Sequence, residues 1–511
     1  METVQSSAVC GFFFPVWRRL RRWYACSALA LVFRVLAAGW RVLWRGSALV
    51  AFLSREGILA RSWRRSAACG ILGIALNLPA ALLHWLYRRF RPVFDGSIAA
   101  SIGFGMGEQT PAAIGWLFVA IVLIPYERWN NLYSLAGFSL MLLLALAGGM
   151  RRRSLRLDVA ALGPYAVCFA AAVCLAWPLS AFPQLSFRFL FFHITCMLCV
   201  LVTVSTVERA DQLLRLATFA ALGLALISAA GVVQRVLGVE VNASYVDLVV
   251  NKGMPGRVYA MFENPNAFAQ VLVLLIPPAV GLCLGSPRWG GRITGFLAAG
   301  LGVAAILMTY GRASWVGLAA AALLFVFLWN RKLLPAMLLL GLAAVPLLPG
   351  TVFNRILTIF NLKDTSTTSR FPLYAAALRL LKYRPALGAG LGTDAVRRAV
   401  KDLNFYHGVA PFVHAHDIYL QIWAETGLLG MLSFIGAMAW SVKKAIRTVS
   451  SGACPRPVRL ITIGGASALT GILVCGIADY IWNYPRVMLI FWFVVALTLS
   501  GIRIGTRAEC S

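Results

Sequence analysis

The sequence predicts an all-α, polytopic integral membrane protein of about twelve transmembrane helices. Three observations carry that class. The 511-residue chain is 60% hydrophobic and only 13% charged, where a soluble domain carries about 25% charged residues. Nearly charge-free runs recur from about residue 98 to the end, each roughly 18 to 25 residues long and so able to cross the hydrocarbon core as a helix. Arg and Lys gather between these runs, where they orient a membrane protein and attract anionic lipid. The net charge of +29 is therefore read as membrane-facing; no motif for nucleic acid accompanies it.

The expected spans are about 98–125, 131–149, 159–178, 187–206, 212–237, 260–285, 292–309, 314–329, 333–348, 416–440, 460–482 and 486–504. Between them, RRFR (88–91), RRRSLR (151–156), SPRWGGR (286–292), NRK (330–332), KKAIR with RPVR (443–459) and RIGTR (503–507) fall on alternate connections. The positive-inside rule assigns all of these to the cytoplasm. The other connections then face outward: YERWNN, SAFPQLS, the 238–258 stretch, YGRAS, the long segment 349–415 and NYPR. The expected location is the cytoplasmic (inner) membrane, with both termini cytoplasmic.

Residues 1–97 form an Arg- and Trp-rich extension ahead of a core at 98–505. Mixed Arg and Trp on an apolar helix suits one lying in the interface; a hairpin of spans 26–44 and 67–86 is the alternative, and 67–86 is expected to insert or lie re-entrant. Most of the 11 cysteines lie inside apolar runs. The pair Cys196 and Cys199 reads as packing rather than redox chemistry, which needs an accessible thiolate. No disulfide framework, metal cluster or cofactor motif is expected.

The segment 349–415, between the ninth and tenth spans, is the largest piece outside the membrane. Its nine cations, among them Arg355, Arg370 and Arg379, face only Asp364, Asp394 and Asp402. FPLYAAALRLLKYRPALG reads as a short amphipathic helix with Leu373, Ala377, Leu380 and Leu381 on one side, ending near Arg384–Pro385 because a residue before Pro disfavours helix. GAGLG (388–392) reads as turn chemistry. Arg257, in GRVYAMFENPNAFAQ, and Arg312, in MTYGRASWVG, lie at membrane mouths. Arginine there is costly unless hydrated or paired, and its planar fork suits phosphate. Arg257, Arg312 and Arg370 are thus candidates to hold a diphosphate; the plainer alternative is that each snorkels or caps a helix.

The stretch HAHDIYLQIWAETGLLG (414–430) holds two of the five histidines of the chain. His416-Asp417, nine residues, then Gly427-Leu-Leu-Gly430 resembles the signature of the bacterial O-antigen ligase and O-antigen polymerase family. FENPNAFAQ, with Asn264, Pro265 and Asn266, resembles that family's NPN element. TYGRASWVGL and SRFPLYAAALRLLKYRPALGAGLG resemble two further elements, in the same order. Two positions depart from the pattern: Asp417 stands where Asn, Ser or Gln is usual, and Tyr374 where Trp is usual.

The resemblance implies a GT-C-like membrane glycosyltransferase. It would move a glycan from an undecaprenyl-diphosphate carrier to an acceptor glycan, lipid or protein outside the cytoplasmic membrane, with inversion and without metal. His416 is then expected as general base, since its ordinary pKa lies near neutrality. Asp417 is expected to orient it, and the three arginines to hold the diphosphate. Gly427 and Gly430 are read as close-approach positions between helices. His414 is read as structural or acceptor-side. The alternatives are a polysaccharide polymerase of the same family and, in another class, a transporter with His416 in a proton or solute path.

Overall fold

A computed structural model describes residues 57–152, 157–241, 255–358, 368–408 and 411–510, with a few positions between 19 and 39. The interfacial reading of the first part of the extension, most of RRRSLR and much of 238–258 lie outside the described residues. The chain divides into two compact units, Met1–Ile58 and Leu59–Ser511, and every helix named below belongs to the second.

All the described elements are helical. They are α1 (Ala67–Arg89), α2 (Ile98–Glu108), α3 (Thr110–Leu123), α4 (Asn131–Arg152), α5 (Pro164–Ala176) and α6 (Pro183–Thr206). Then follow α7 (Ala210–Leu237), α8 (Pro265–Gly285), α9 (Trp289–Met308), α10 (Arg312–Asn330), α11 (Leu334–Ala344) and α12 (Gly350–Leu357). Last come α13 (Arg370–Tyr383), α14 (Gly392–Asp402), α15 (Ile418–Ser450), α16 (Arg456–Cys475) and α17 (Pro485–Cys510). The chain is a multi-pass membrane protein of all-α class.

Among the described residues, ten helical stretches are long and apolar enough to cross a membrane, or eleven if the α2–α3 pair counts as one bent span. The differences from the twelve expected runs have local causes. The 98–125 run bends by 70° between α2 and α3, at Gln109 and ahead of Pro111 near the start of α3. The 159–178 run breaks at Gly163, whose φ of 80° is followed by Pro164, leaving α5 as a short apolar helix. Ala67–Arg89, left open by the sequence, is a full-length apolar helix. The stretch from Arg312 to Leu347 is one apolar run, yet Leu348 and Val352 pack beside Tyr310 at the start of α10. The chain therefore turns back after Asn330, and α11 returns toward the level of Tyr310.

The core is built round α8, almost every residue of which is buried. Small residues set its approach to α16. A Cβ on Gly281 would lie 2.4 Å from the Leu460 carbonyl oxygen, and one on Gly464 would lie 2.5 Å from that of Pro277. Gly317 of α10 and Gly471 of α16 meet in the same way. Such backbone contact substitutes for a hydrophobic driving force, which is absent between helices in lipid.

Loops gather at one end of this bundle. Ile418 N donates to Gly476 O at 2.9 Å, Val258 N to Met308 O at 3.3 Å and Ala181 N to Ala389 O at 3.0 Å. Arg486 donates to the carbonyls of Ile124 and Met261. These bonds tie together connections that the charge pattern assigns to one side.

The segment after α12 packs as a small helical cap on this end. The buried face of α13 consists of Leu373, Ala376, Ala377, Leu380 and Leu381. It lies against Val396, Ala399 and Val400 of α14, Phe412 and Ala424, so its apolar side rests on protein. The helix ends at Arg384, as expected before Pro385. The loop that follows closes on α15 at Gly427. There φ is 72° and ψ −176°, which breaks the helix. Ala389 N donates to Ala424 O at 2.7 Å, and Leu428 N to Pro385 O at 3.1 Å. A Cβ on Gly427 would sit 1.9 Å from the Ala386 carbonyl oxygen. Gly427 thus serves a helix break against a loop, where the sequence suggested helix–helix approach. At Gly430 the crowding atom is the Thr426 hydroxyl, one turn back on the same helix.

Gly427→Ala therefore combines a left-handed backbone costing about 1–3 kcal/mol with a clash against a carbonyl. Its thermal midpoint in detergent is expected to fall by several degrees. Gly300→Ala, in α9 where an added Cβ meets nothing within 4 Å, is expected to leave the midpoint unchanged. Equal midpoints for the two variants would refute this account of the break.

Candidate functional site

At the loop-bearing end, His416 ends an extended strip and Asp417 starts α15. Asp417 is the N-cap, its carboxylate accepting from Leu420 N at 2.7 Å. A side-chain oxygen at this position satisfies one of the free amides of a first helical turn. Burial pushes the Asp417 carboxyl up, and the amides of Leu420 and Tyr419 pull it back only in part.

The carboxylate that faces His416 is Asp479, in the turn between α16 and α17. His416 Nδ1 lies 3.3 Å from Asp479 Oδ1. Asp479 Oδ2 accepts from Gln270 Nε2 of α8 at 3.0 Å, and Oδ1 also accepts from Tyr480 N at 2.9 Å. Burial pushes the Asp479 carboxyl up, but the hydrogen bond with His416 and the charges of His416, Arg370 and His414 outweigh it and hold it at about 2. An ionised carboxylate only accepts hydrogen bonds. In a neutral ring it therefore favours the proton on Nδ1, which leaves the lone pair on Nε2. The His416 side chain is 32% exposed, so the ring is reachable from outside.

His416 has a φ of 49°, a left-handed conformation that is uncommon for a residue with a Cβ. The turn is held from both sides. His416 N donates to His414 Nδ1 at 3.1 Å, and Ala415 N donates to Gln421 Oε1 at 2.9 Å. The two rings lie 4.1 Å apart between centroids, and His414 also meets Tyr480 at 5.6 Å. Burial, aided by the charges of His416 and Arg370 and opposed by Asp479, lowers His414 to about 3. His414 is thus a neutral acceptor beneath the His416 turn. The Tyr374 hydroxyl points to the His416 carbonyl at 3.5 Å.

A second buried carboxylate lies behind the first. Glu425 accepts from Tyr480 Oη at 2.8 Å, Gln421 Nε2 at 2.8 Å and Gly392 N at 3.0 Å. Gly392 takes a φ of 84° to present that amide. Glu425 so joins the α13–α14 cap to the turn that carries Asp479.

The predicted arginines fall in two places. Arg257 is buried; its Nε donates to Thr309 O at 2.6 Å and a terminal nitrogen to Asn266 Oδ1 at 2.5 Å. Arg312 donates to Thr358 O at 2.6 Å. The buried Arg355 joins them, with its Nε 3.4 Å from Tyr310 O. Three cations thus surround the turn 309–312, where Tyr310 has a φ of 51°. Arg370, the first residue of α13, instead lies on the His416 side, where its charge acts on Asp479, His414 and Tyr374. The start of α8 connects the two places. Asn264 caps it by accepting from Asn266 N and Ala267 N at 2.8 and 2.9 Å, and also donates to the Tyr484 hydroxyl. Pro265 sits in the first turn, where a missing N–H costs nothing. Asn266 holds Arg257, and Gln270, one turn along the same face, holds Asp479.

Asp479, Gln270, Glu425 and Tyr480 were not singled out from the sequence, and Arg355 only as one of the cations of 349–415. The signal for two of them was present: Asp479 and Glu425 are acids inside expected spans, and such residues mark function or pairing. The remaining histidines are separate. His193 is buried in α6 with Nδ1 3.0 Å from Phe189 O, and His84 Nδ1 lies 2.9 Å from Met150 O.

Neutral His414 gives the turn a pH dependence of definite sign. Its folded value lies below the ordinary 6.5. Between about 3 and 6.5 the unfolded chain binds a proton that the folded chain does not, so stability rises with pH across that window. The thermal midpoint is expected to fall from pH 7 to pH 5. His414→Asn, whose amide oxygen accepts from His416 N without titrating, is expected to lose part of that fall; an unchanged slope would remove His414 as its source.

Comparison with known proteins follows the same residues. Residues 297–435 match the family described as O-antigen ligase. That range holds Arg312, Arg370 and His416; Arg257 and the NPN element precede it, and Asp479 follows. An exopolysaccharide production protein, ExoQ, of Rhizobium meliloti is 26% identical over 276 residues, 52% of this chain and 61% of that protein. An uncharacterized protein of Haemophilus influenzae is 27% identical over 167 residues, 29% of this chain and 42% of that one. The chain thus spans less than two thirds of either relative. Through residues 297–435, the chain is similar to the O-antigen ligase family.

Proposed function

We propose that the protein is an O-antigen ligase-like glycosyltransferase, moving a glycan from an undecaprenyl-diphosphate carrier to an acceptor hydroxyl at the outer face of the cytoplasmic membrane. The observation that carries this reading is His416, reachable from outside, with Nδ1 on the ionised Asp479. Nε2 takes the proton of the acceptor hydroxyl as that oxygen bonds to the anomeric carbon. The bond from that carbon to the carrier phosphate breaks, and its electron pair leaves with the diphosphate. Attack opposite the leaving group inverts the centre. Asp479 holds the imidazole in one tautomer and stabilises the imidazolium that forms, while Asp417 acts on the same turn by capping α15.

The leaving group gains negative charge as it departs, and fixed cations at that point stabilise the transition state more than the ground state. Arg370 stands nearest the His416 turn in this reading, with Arg257 and Arg312 anchored to backbone carbonyls around residues 309–312 and 358. The NPN element contributes by positioning, since Asn266 holds Arg257. The second reading is chain polymerisation, in which the acceptor is itself a carrier-linked glycan; likeness to an exopolysaccharide production protein is compatible with both.

The test is a transfer assay in proteoliposomes with undecaprenyl-diphosphate glycan and candidate acceptors, following carrier release and product size. His416→Ala is expected to lose roughly two to four orders of magnitude in rate. Asp479→Asn is expected to lower kcat with little change in KM. A single capped product identifies a ligase, and a ladder a polymerase. Carrier release by His416→Ala at the wild-type rate would end the general-base assignment.

Substitution separates charge from geometry at the arginines. Arg257→Lys keeps the cation and loses the two-point hold on Thr309 and Asn266, so partial loss is expected, with Arg257→Ala worse. Full activity in the Ala variants of Arg257, Arg312 and Arg370 alike would remove the diphosphate site.

A further inference from the structure

A charged cavity lies far from His416. Helix α17 begins at Pro485, beside the turn that carries Asp479, and the run from there to Arg503 covers about 27 Å at the α-helical rise, roughly one hydrocarbon thickness. Around Arg503 is a cavity of about 460 Å³. Its wall carries Arg64, Lys444, Arg503 and Arg507 against one acid, Asp158.

Arg503 Nε lies 2.9 Å from Asp158 and a terminal nitrogen 3.0 Å from Glu208, with Arg507 3.8 Å from Glu208. Asp158 and Glu208 thus hold Arg503 and Arg507 in place. The Arg503 side chain is 7% exposed and is fixed further by Val204 O at 2.7 Å. That makes it a rigid floor charge rather than a mobile surface one. Lys444 stands over the Trp440 ring at 4.6 Å. Leu499 and Ile502 supply an apolar part of the lining.

We propose that this cavity binds the phosphate headgroup of an anionic phospholipid, on the membrane face opposite the His416 site. Fixed cations recognise the phosphate, and the position at the end of a span puts it at headgroup depth. The apolar floor distinguishes the occupant: a hydrated free anion gains nothing from Leu499 and Ile502, whereas the glycerol and first methylenes of a lipid do. The cavity uses no residue of the transfer site and its case does not rest on that activity.

The test is native mass spectrometry of the full chain from mixed micelles of phosphatidylcholine and phosphatidylglycerol, with the thermal midpoint measured in each lipid. Wild type is expected to retain phosphatidylglycerol and to melt higher with it. Arg64→Gln with Lys444→Gln removes two wall cations, and retention is expected to weaken about 30-fold. Arg88→Gln with Arg89→Gln removes two exposed cations outside the cavity and is expected to retain the lipid as wild type does. Lys444→Gln alone is measured too, in case the double variant fails to fold in phosphatidylcholine. Retention unchanged in both cavity variants would overturn the proposal. Equal loss in the Arg88 and Arg89 variant would reduce it to general surface attraction and overturn it as well. Millimolar inorganic phosphate raising the midpoint as much as the lipid would assign the cavity to a free anion instead.

Discussion

One buried carboxylate organises the functional end of this molecule. An ionised group shielded from water is costly unless it is paired and hydrogen-bonded. Asp479 meets that demand with three partners from three places: Gln270 on α8, the amide of Tyr480 and the ring of His416. Satisfying it fixes the register of the α16–α17 turn on the central helix and fixes where the His416 turn must sit. Glu425 repeats the arrangement one layer back, and through Gly392 it brings in the cap. Because partial satisfaction of such a network is worse than none, its members specify one geometry.

The apolar bundle supplies what the polar network cannot. Glycines on α8, α10 and α16 bring backbones into contact, so these three helices form a stiff base. Two of the four described non-glycine residues with left-handed φ, His416 and Tyr310, sit in turns above that base. Backbone strain persists only where surroundings over-determine it. Here the surroundings are the Asp479 network in one case and the cations around residues 309–312 in the other. Rigidity below and strain above together hold functional groups still without a bound ligand to order them.

The class was legible because apolar length and Arg placement are properties of composition. So was α13, whose apolar face follows helical spacing and whose end follows from Pro385. His416 and the NPN element were legible as motifs. Their partners were not, because hydrogen bonds between α8 and a turn some two hundred residues later leave no local pattern. Asp479 read as the interior of a 460–482 span, whereas the helix ends at Cys475 and the polar turn begins there. Asp417 was adjacent to His416 and so drew the orienting role, but His416 sits in a left-handed turn that leads into the α15 cap. Its oxygen turns to the helix it caps. The 159–178 and 98–125 runs were overread because hydropathy does not sense a Gly-Pro break or a bend.

The break at Gly427 has a consequence for how this region can vary. From the Asp417 cap to Gly427 the chain is helical, and each residue there turns the helix by about 100°. Inserting or deleting one residue would swing Gln421 and Glu425 away from their partners, or carry the left-handed position off the Ala386 carbonyl. The nine residues between the His-Asp pair and the glycine are therefore a measured spacer, intolerant of length change even where individual side chains are replaceable. Exposed positions such as Gly452, between α15 and α16, face no such rule. Divergence among relatives should accordingly appear as substitution within this helix and as insertion outside it.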